Sequence, residues 1–174
     1  MKKKYIGACL LVLGVFLLTG CGNDNVEIED GVNPETGVRH NIPDTTERLL
    51  ECTRHAIGEG DFTLTTEFRI YYVGSFITRM ITTRILETED SERLARERLH
   101  YENLFSVYEN LAYHDTTVSQ RGNTVTFETI IDYSNIDTDH LLAIEGADNN
   151  IIQNGRAVLA DWRELARRAG ISCN

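Results

Sequence analysis

The chain is 174 residues long, and its 27 acidic residues outnumber its 17 basic ones, for a net charge of −10. The lysines are Lys2, Lys3 and Lys4, so the rest of the chain sets 14 arginines against those 27 acids, a balance near −13. That charge argues against a nucleic-acid partner, whose phosphates need a basic surface, and the missing lysines remove Schiff-base and Ser–Lys chemistry beyond residue 4.

The amino terminus has the layout of an export signal: three lysines, an apolar run over 5–18, then Leu18-Thr19-Gly20-Cys21. The run is broken by Gly7 and Gly14 and falls short of the roughly 20 residues of a membrane span. Leu-Thr-Gly-Cys is similar to the lipobox of bacterial lipoproteins: small residues admit a signal peptidase, and the Cys21 thiol is the acylation site. The expectation is a signal peptide over 1–20, removed to leave Cys21 lipidated. An ordinary secreted protein or an uncleaved anchor is the alternative. One acyl chain anchors marginally and two anchor stably, which the implied diacylglyceryl group satisfies. The partner expected from this is a lipid bilayer, held from the extracytoplasmic face of the cell membrane.

Residues 21–47 read as a lipidated end and a flexible acidic linker, with Gly22, Gly31, Gly37, Pro34 and Pro43 and no hydrophobic periodicity. About 25 residues of such coil span roughly 25–30 Å. Residues 48–174 form one domain, long enough for its own core. Leu49, Leu50, Cys52 and Thr53 suggest a short strand followed by a loop over 56–61, with a short helix over 46–52 as the competing reading. Residues 62–72 alternate Phe62, Leu64, Thr66, Phe68, Ile70 and Tyr72 with polar positions, a strand with one apolar face. Val73-Gly74-Ser75 is a tight turn, and 76–86 is a second strand whose broken alternation predicts a bulge or two-sided burial.

A long helix is expected over 89–112, capped by Thr88 or Asp90, with Glu92–Arg96 at i,i+4. Its stripe of Leu94, Tyr101, Phe105, Tyr108 and Ala112 fits packing on a sheet, with a ligand groove as the alternative. A polar edge strand over 113–120, a turn at Arg121-Gly122-Asn123 and a strong strand over 124–133 make a second hairpin. A short helix over 134–144 starts at Asp137 or Thr138. Asn154-Gly155 is a turn, and a terminal helix over 159–169 buries Leu159, Trp162, Leu165, Ala166 and Ala169, with Gly170 as its stop. The order implies an α+β fold: an antiparallel sheet built from β-hairpins, with the long helix and the C-terminal helix against one face.

With Cys9 in the signal and Cys21 lipidated, Cys52 and Cys173 remain, and two cysteines in an exported domain read as one disulfide. A reactive Cys52 thiol assisted by His55 is the alternative. Asp137-Thr138-Asp139-His140, with Asp132 or Asp148 nearby, has acids but lacks the third acid and the glycine of a calcium loop; helix capping by Asp137 accounts for it. The histidines lack zinc-site spacing. No G-x-S-x-G, H-E-x-x-H or Gly-rich phosphate loop is present, and no cofactor is expected.

Glu51-Cys52-Thr53, Tyr71-Tyr72 followed by Gly74, Gly122-Asn123-x-Val125, Ile131-Asp132-Tyr133, and Leu165 through Gly170 to Cys173 form a series. That series, with the lipobox, resembles the YehR-like lipoproteins of Gram-positive bacteria and their relatives over residues 48–174. The resemblance implies a small exported α+β domain and supplies no catalytic residues. The absence of lysine from the domain departs from that pattern, as does Ala160, where relatives tend to start the last helix with a capping hydroxyl. The functional expectation is a membrane-anchored, non-catalytic module binding an unidentified protein or small molecule. An envelope hydrolase with an unrecognised carboxylate or His site is the alternative.

Overall fold

The computed structural model describes residues 45–145 and 151–174. The expected signal peptide, Cys21, most of the linker and Asp148 lie outside the described residues. Strand β1 (Glu47–Ile57) pairs along its whole length with β2 (Thr63–Val73), from Glu47 opposite Val73 to Ile57 opposite Thr63. The strand is therefore longer than its few apolar residues suggested, and the competing helix does not form. Pairing across eleven residues overrides local preference.

β2 turns at Gly74-Ser75 into β3 (Phe76–Glu87). The register shifts where Tyr71 faces Arg79 and Tyr72 faces Ile77, leaving Thr78 bulged. The bulge lets Ile77 and Met80 both point into the core, at 3% and 2% exposed.

Helix α1 (Ser91–Phe105) starts at Asp90, whose Oδ1 accepts the Arg93 N–H at 2.9 Å. Thr88 does not cap it; its hydroxyl donates to Asp61 Oδ1 at 2.7 Å and fastens the β1–β2 loop to the helix start. The i,i+4 ion pair on the helix is Arg98–Glu102, at 2.8 Å. α1 ends seven residues before the expected Ala112. A 3₁₀ turn (Ser106–Tyr108) follows, Asn110 adopts φ 73°, and Leu111 is drawn into a small cluster with Tyr113 and Leu141. Ala112 is left exposed.

Strands β4 (His114–Arg121) and β5 (Thr124–Asp132) form the second hairpin, and helix α2 (Thr138–Glu145) begins where Asp137 Oδ1 accepts the His140 N–H at 3.0 Å. Two strand pieces without a sequence signal follow, β6 (Ile152–Gln153) and β7 (Arg156–Val158). They are joined by Asn154 and Gly155 at φ 50° and 75°, as a two-residue hairpin turn of right-handed twist requires. Helix α3 (Leu159–Arg168) has Val158 before it and no side-chain cap, in keeping with Ala160 at its start.

α3 stops in a Schellman motif: Gly170 sits at φ 70°, its N–H donates to the Arg167 carbonyl, and the Ile171 N–H donates to the Ala166 carbonyl. That reversal sends the chain back as β8 (Ser172–Cys173) against β1.

The sheet is open and antiparallel, in the order β4-β5-β3-β2-β1-β8, with the β6–β7 hairpin attached at the start of β3. The fold is α+β, as the element order implies. Cys52, Phe68, Thr82, Thr129 and Thr116 are successive cross-strand partners and mark the face that meets the helices. That face carries two apolar clusters. Phe68, Ile70 and Met80 pack with Trp162 and Ala166 of α3, whereas Leu86, Val125 and Phe127 pack with Leu94 and Tyr101 of α1. A belt of buried polar residues, Thr66, Thr82, Thr129 and Arg84, crosses the sheet on this same face. On the opposite face Ile81, Ile85 and Ile130 are half-buried, and Arg69 pairs with Glu128 at 3.1 Å.

Candidate functional site

Cys52 and Cys173 face each other across the β1–β8 pairing, with Cα atoms 4.0 Å apart, and are joined by a disulfide. The alternative of a thiol activated by His55 fails on geometry as well. His55 lies three positions after Cys52 on one strand, so it projects from the opposite face, where Nδ1 lies 2.9 Å from the Thr65 hydroxyl. The acidic stretch near α2 is likewise occupied by local structure. Asp137 caps the helix, and Asp132 accepts from the Ser134 N–H and the Asn135 side chain at 2.9 and 2.7 Å. Among the described residues no three His, Cys, Asp or Glu side chains converge on one point, and no helix is long and apolar enough to cross a membrane.

The arrangement that stands apart lies where α1 ends. Tyr101 and Phe105 project from its last turns onto Phe127, with ring centroids 5.5 and 5.7 Å away. The 3₁₀ turn then carries Tyr108 over His114 at the start of β4, and the two rings stack at 4.8 Å and 22°. The Tyr108 hydroxyl donates to Glu145 Oε1 at 3.1 Å, which ties the turn to α2. Between this turn and β4 opens a pocket of about 420 Å³, lined by Phe105, Tyr108, His114 and Thr116 with Glu102, Glu109 and Asp115 at its rim.

Behind Phe105 lies Arg84. It belongs to β3, on the same face as Met80 and Leu86, and is 7% exposed. Its guanidinium carbon is 5.3 Å from the centroid of the Phe105 ring, a cation–π contact. Its Nη1 is buried with no hydrogen-bond partner among the described residues, and so is the Thr116 hydroxyl on the pocket wall. Elsewhere arginines meet carboxylates in exposed pairs, as Arg98 does with Glu102 and as Arg167 and Arg168 do with Glu164.

The titratable groups that act on Arg84 are instead the phenols of Tyr101 and Tyr108. Burial pulls Arg84 below its ordinary pKa, against those two phenols, yet a guanidinium does not lose its proton in a protein. Holding a charge out of water costs several kcal/mol, and the face of the Phe105 ring offsets part of that cost for Arg84. Burial also lowers His114, with Asp115 opposing, which favours the neutral imidazole on the pocket wall.

Arg84 stands in no sequence motif. In Thr82-Thr83-Arg84-Ile85-Leu86 an arginine looks like an outward, solvated residue; its parity with Met80 and Leu86 was the available signal that it points inward. A second hollow of about 470 Å³, near the start of α1, is bounded by groups already bonded to one another: Arg98 to Gln120 at 2.9 Å and Asn123 to Glu89 at 3.0 Å.

No family model and no curated protein sequence matches this chain. Among solved structures, the NMR structure of the E. coli YehR protein is similar at 16% identity and a TM-score of 0.53, over 73% of this chain and 91% of that one. An NMR structure of a protein from Streptococcus pneumoniae TIGR4 is similar at 12% identity and a TM-score of 0.49, over 88% of this chain and 100% of that one. The fold of the described residues, an open antiparallel sheet with helices α1 and α3 on one face, is thus YehR-like.

Proposed function

We propose that the protein is exported, lipid-anchored through Cys21 on the extracytoplasmic face of the membrane, and that its folded domain binds a ligand or partner without catalysing a reaction. The observation that carries the export half is the Cys52–Cys173 bridge, because such bonds persist in oxidising compartments and are rare in the cytosol. The three lysines, the apolar run and the Leu-Thr-Gly-Cys sequence support it from the other end of the chain. A domain with this acidic balance is repelled by anionic lipid, so a tether rather than surface adsorption holds it near the bilayer. The binding half is supported by the pocket of about 420 Å³ at the end of α1, walled by Phe105, Tyr108 and His114.

Cell fractionation of the Cys21→Ser protein tests the anchor. The variant is expected to leave the membrane fraction or accumulate unprocessed, and to lose the mass of the lipid. Undiminished membrane retention with an unmodified Cys21 in the parent protein would refute it.

A further inference from the structure

We propose that the open edge of strand β4 pairs antiparallel with the same edge of a second copy of this chain, joining two sheets into one across a two-fold axis at Val118. The surface is separate from the Cys21 anchor and does not depend on a ligand in the pocket.

The two edges of the sheet are finished differently. At one edge β8 lies along β1 and is joined to it by the Cys52–Cys173 bridge. At the other, β4 pairs with β5 alone among the described residues. The Asp132 N–H donates to the Tyr113 carbonyl at 2.8 Å, so Tyr113 and every second residue after it, to Arg121, bond to β5 in the antiparallel alternation. Thr116, Val118 and Gln120 therefore turn their backbone N–H and C=O groups outward. Such an edge is a template for another strand unless lysine, proline or a bulge blunts it. β4 has no lysine or proline, its register with β5 is unbroken, and residues 117–121 are exposed.

The side chains of β4 match their own two-fold image. With Val118 opposite Val118 of the second copy, Thr116 meets Gln120 and about six backbone hydrogen bonds close. The same register sets Asp115 against Arg121 and Thr117 against Ser119 on the sheet face away from the helices, as non-hydrogen-bonded pairs whose side chains approach closest. Unlike charges thus meet twice. Moving the second copy by two residues sets Asp115 opposite Ser119 or Asn123 and loses both pairs. Apolar surface flanks the edge on its helix side. Leu99 of α1 and Val107 of the 3₁₀ turn are exposed, as is Val118. Leu99 shares a hollow with Gln120, and the neighbours of Val107 share the other with Val118.

The test uses the full-length protein in cells that express it. In a hydrogen-bonded antiparallel pair the two Val118 Cα atoms stand about 5.5 Å apart, a span that a disulfide bridges. Val118→Cys, oxidised with copper–phenanthroline and run on a non-reducing gel, is expected to give a reducible product of twice the chain mass that the parent protein does not give. Ile57→Cys, exposed on β1 at the far side of the sheet, is expected to give none. Adding Arg121→Asp sets like charges opposite each other and should cut the Val118→Cys product about tenfold. Adding Asp115→Arg as well should restore it. All four positions are exposed, so the variants keep the fold.

Absence of the double-mass product, an equal yield from Ile57→Cys, an unchanged yield with Arg121→Asp, or no recovery with Asp115→Arg overturns the proposal. A disulfide to a different protein does the same, since the edge would then serve another partner. The product is read on the whole chain whichever cell fraction holds it, so the anchor tested by Cys21→Ser and this edge fail or stand separately.

Discussion

Opening the Cys52–Cys173 bridge is expected to remove about 5 kcal/mol, a third or more of the stability of the domain. The two cysteines are 121 residues apart in sequence. Closing a loop of that length lowers the entropy of the unfolded chain by about 16 cal/mol/K in the chain-entropy treatment, or about 5 kcal/mol at 25 °C. The native state loses little in return, since β8 keeps its pairing with β1, the Asn174 N–H still donates to the Glu51 carbonyl at 3.0 Å, and Ile171 stays in the core. Domains of this size are stable by about 5–15 kcal/mol, so the reduced protein should be marginal.

Urea unfolding with and without reductant measures the difference. Trp162, packed edge-on against Phe68 at 5.6 Å, serves as the fluorescent reporter. Reduction should lower the midpoint and raise the m-value, because the released unfolded chain exposes more surface. A Cys52→Ala/Cys173→Ala protein should be less stable than the reduced parent, because Cys52 is 3% exposed and its removal also leaves a cavity. A loss below about 1 kcal/mol on reduction, with the m-value unchanged, would refute the view that the bridge acts on the unfolded chain.

Two further perturbations bear on the helices and the pocket. Because burial lowers the His114 pKa, the unfolded chain holds the proton more tightly than the folded one. Stability is therefore fully present above pH 6.5 and declines as the pH falls from there through the lower folded value. His114→Asn should flatten that part of the Tm–pH curve, and identical slopes for the two proteins would count against the burial of this ring. Asp90→Ala removes the acceptor of the Arg93 N–H at the start of α1 and should cost about 1 kcal/mol in urea unfolding. Asp90→Ser should recover most of it, and an unchanged midpoint for the alanine variant would show that the cap does not hold the helix start.

Much of the architecture was legible because it depends on periods and local chemistry. The alternation of Phe62 to Tyr72 marked β2 to within a residue, and the broken alternation after Phe76 corresponded to the bulge at Thr78. Where the reading failed, a distant contact had decided. Helix α1 stops at Phe105 although its stripe continues, because Leu111 and Tyr113 bury against α2. The two residues of β6 and the two of β8 carry no pattern and exist as strands through their partners β7 and β1.

The candidate site shows the same division. The sequence alone settled the acidic balance and the lysine-free domain, marked the order of the longer elements and offered Cys52 and Cys173 as a pair, because these follow from residue type and short-range spacing. Only the tertiary structure decided that Arg84 points inward beneath the Phe105 ring and that its Nη1 has no hydrogen-bond partner among the described residues. Which residues lie across a sheet from one another, and what covers them, is set by strand order and register, and no local stretch of chain contains that information.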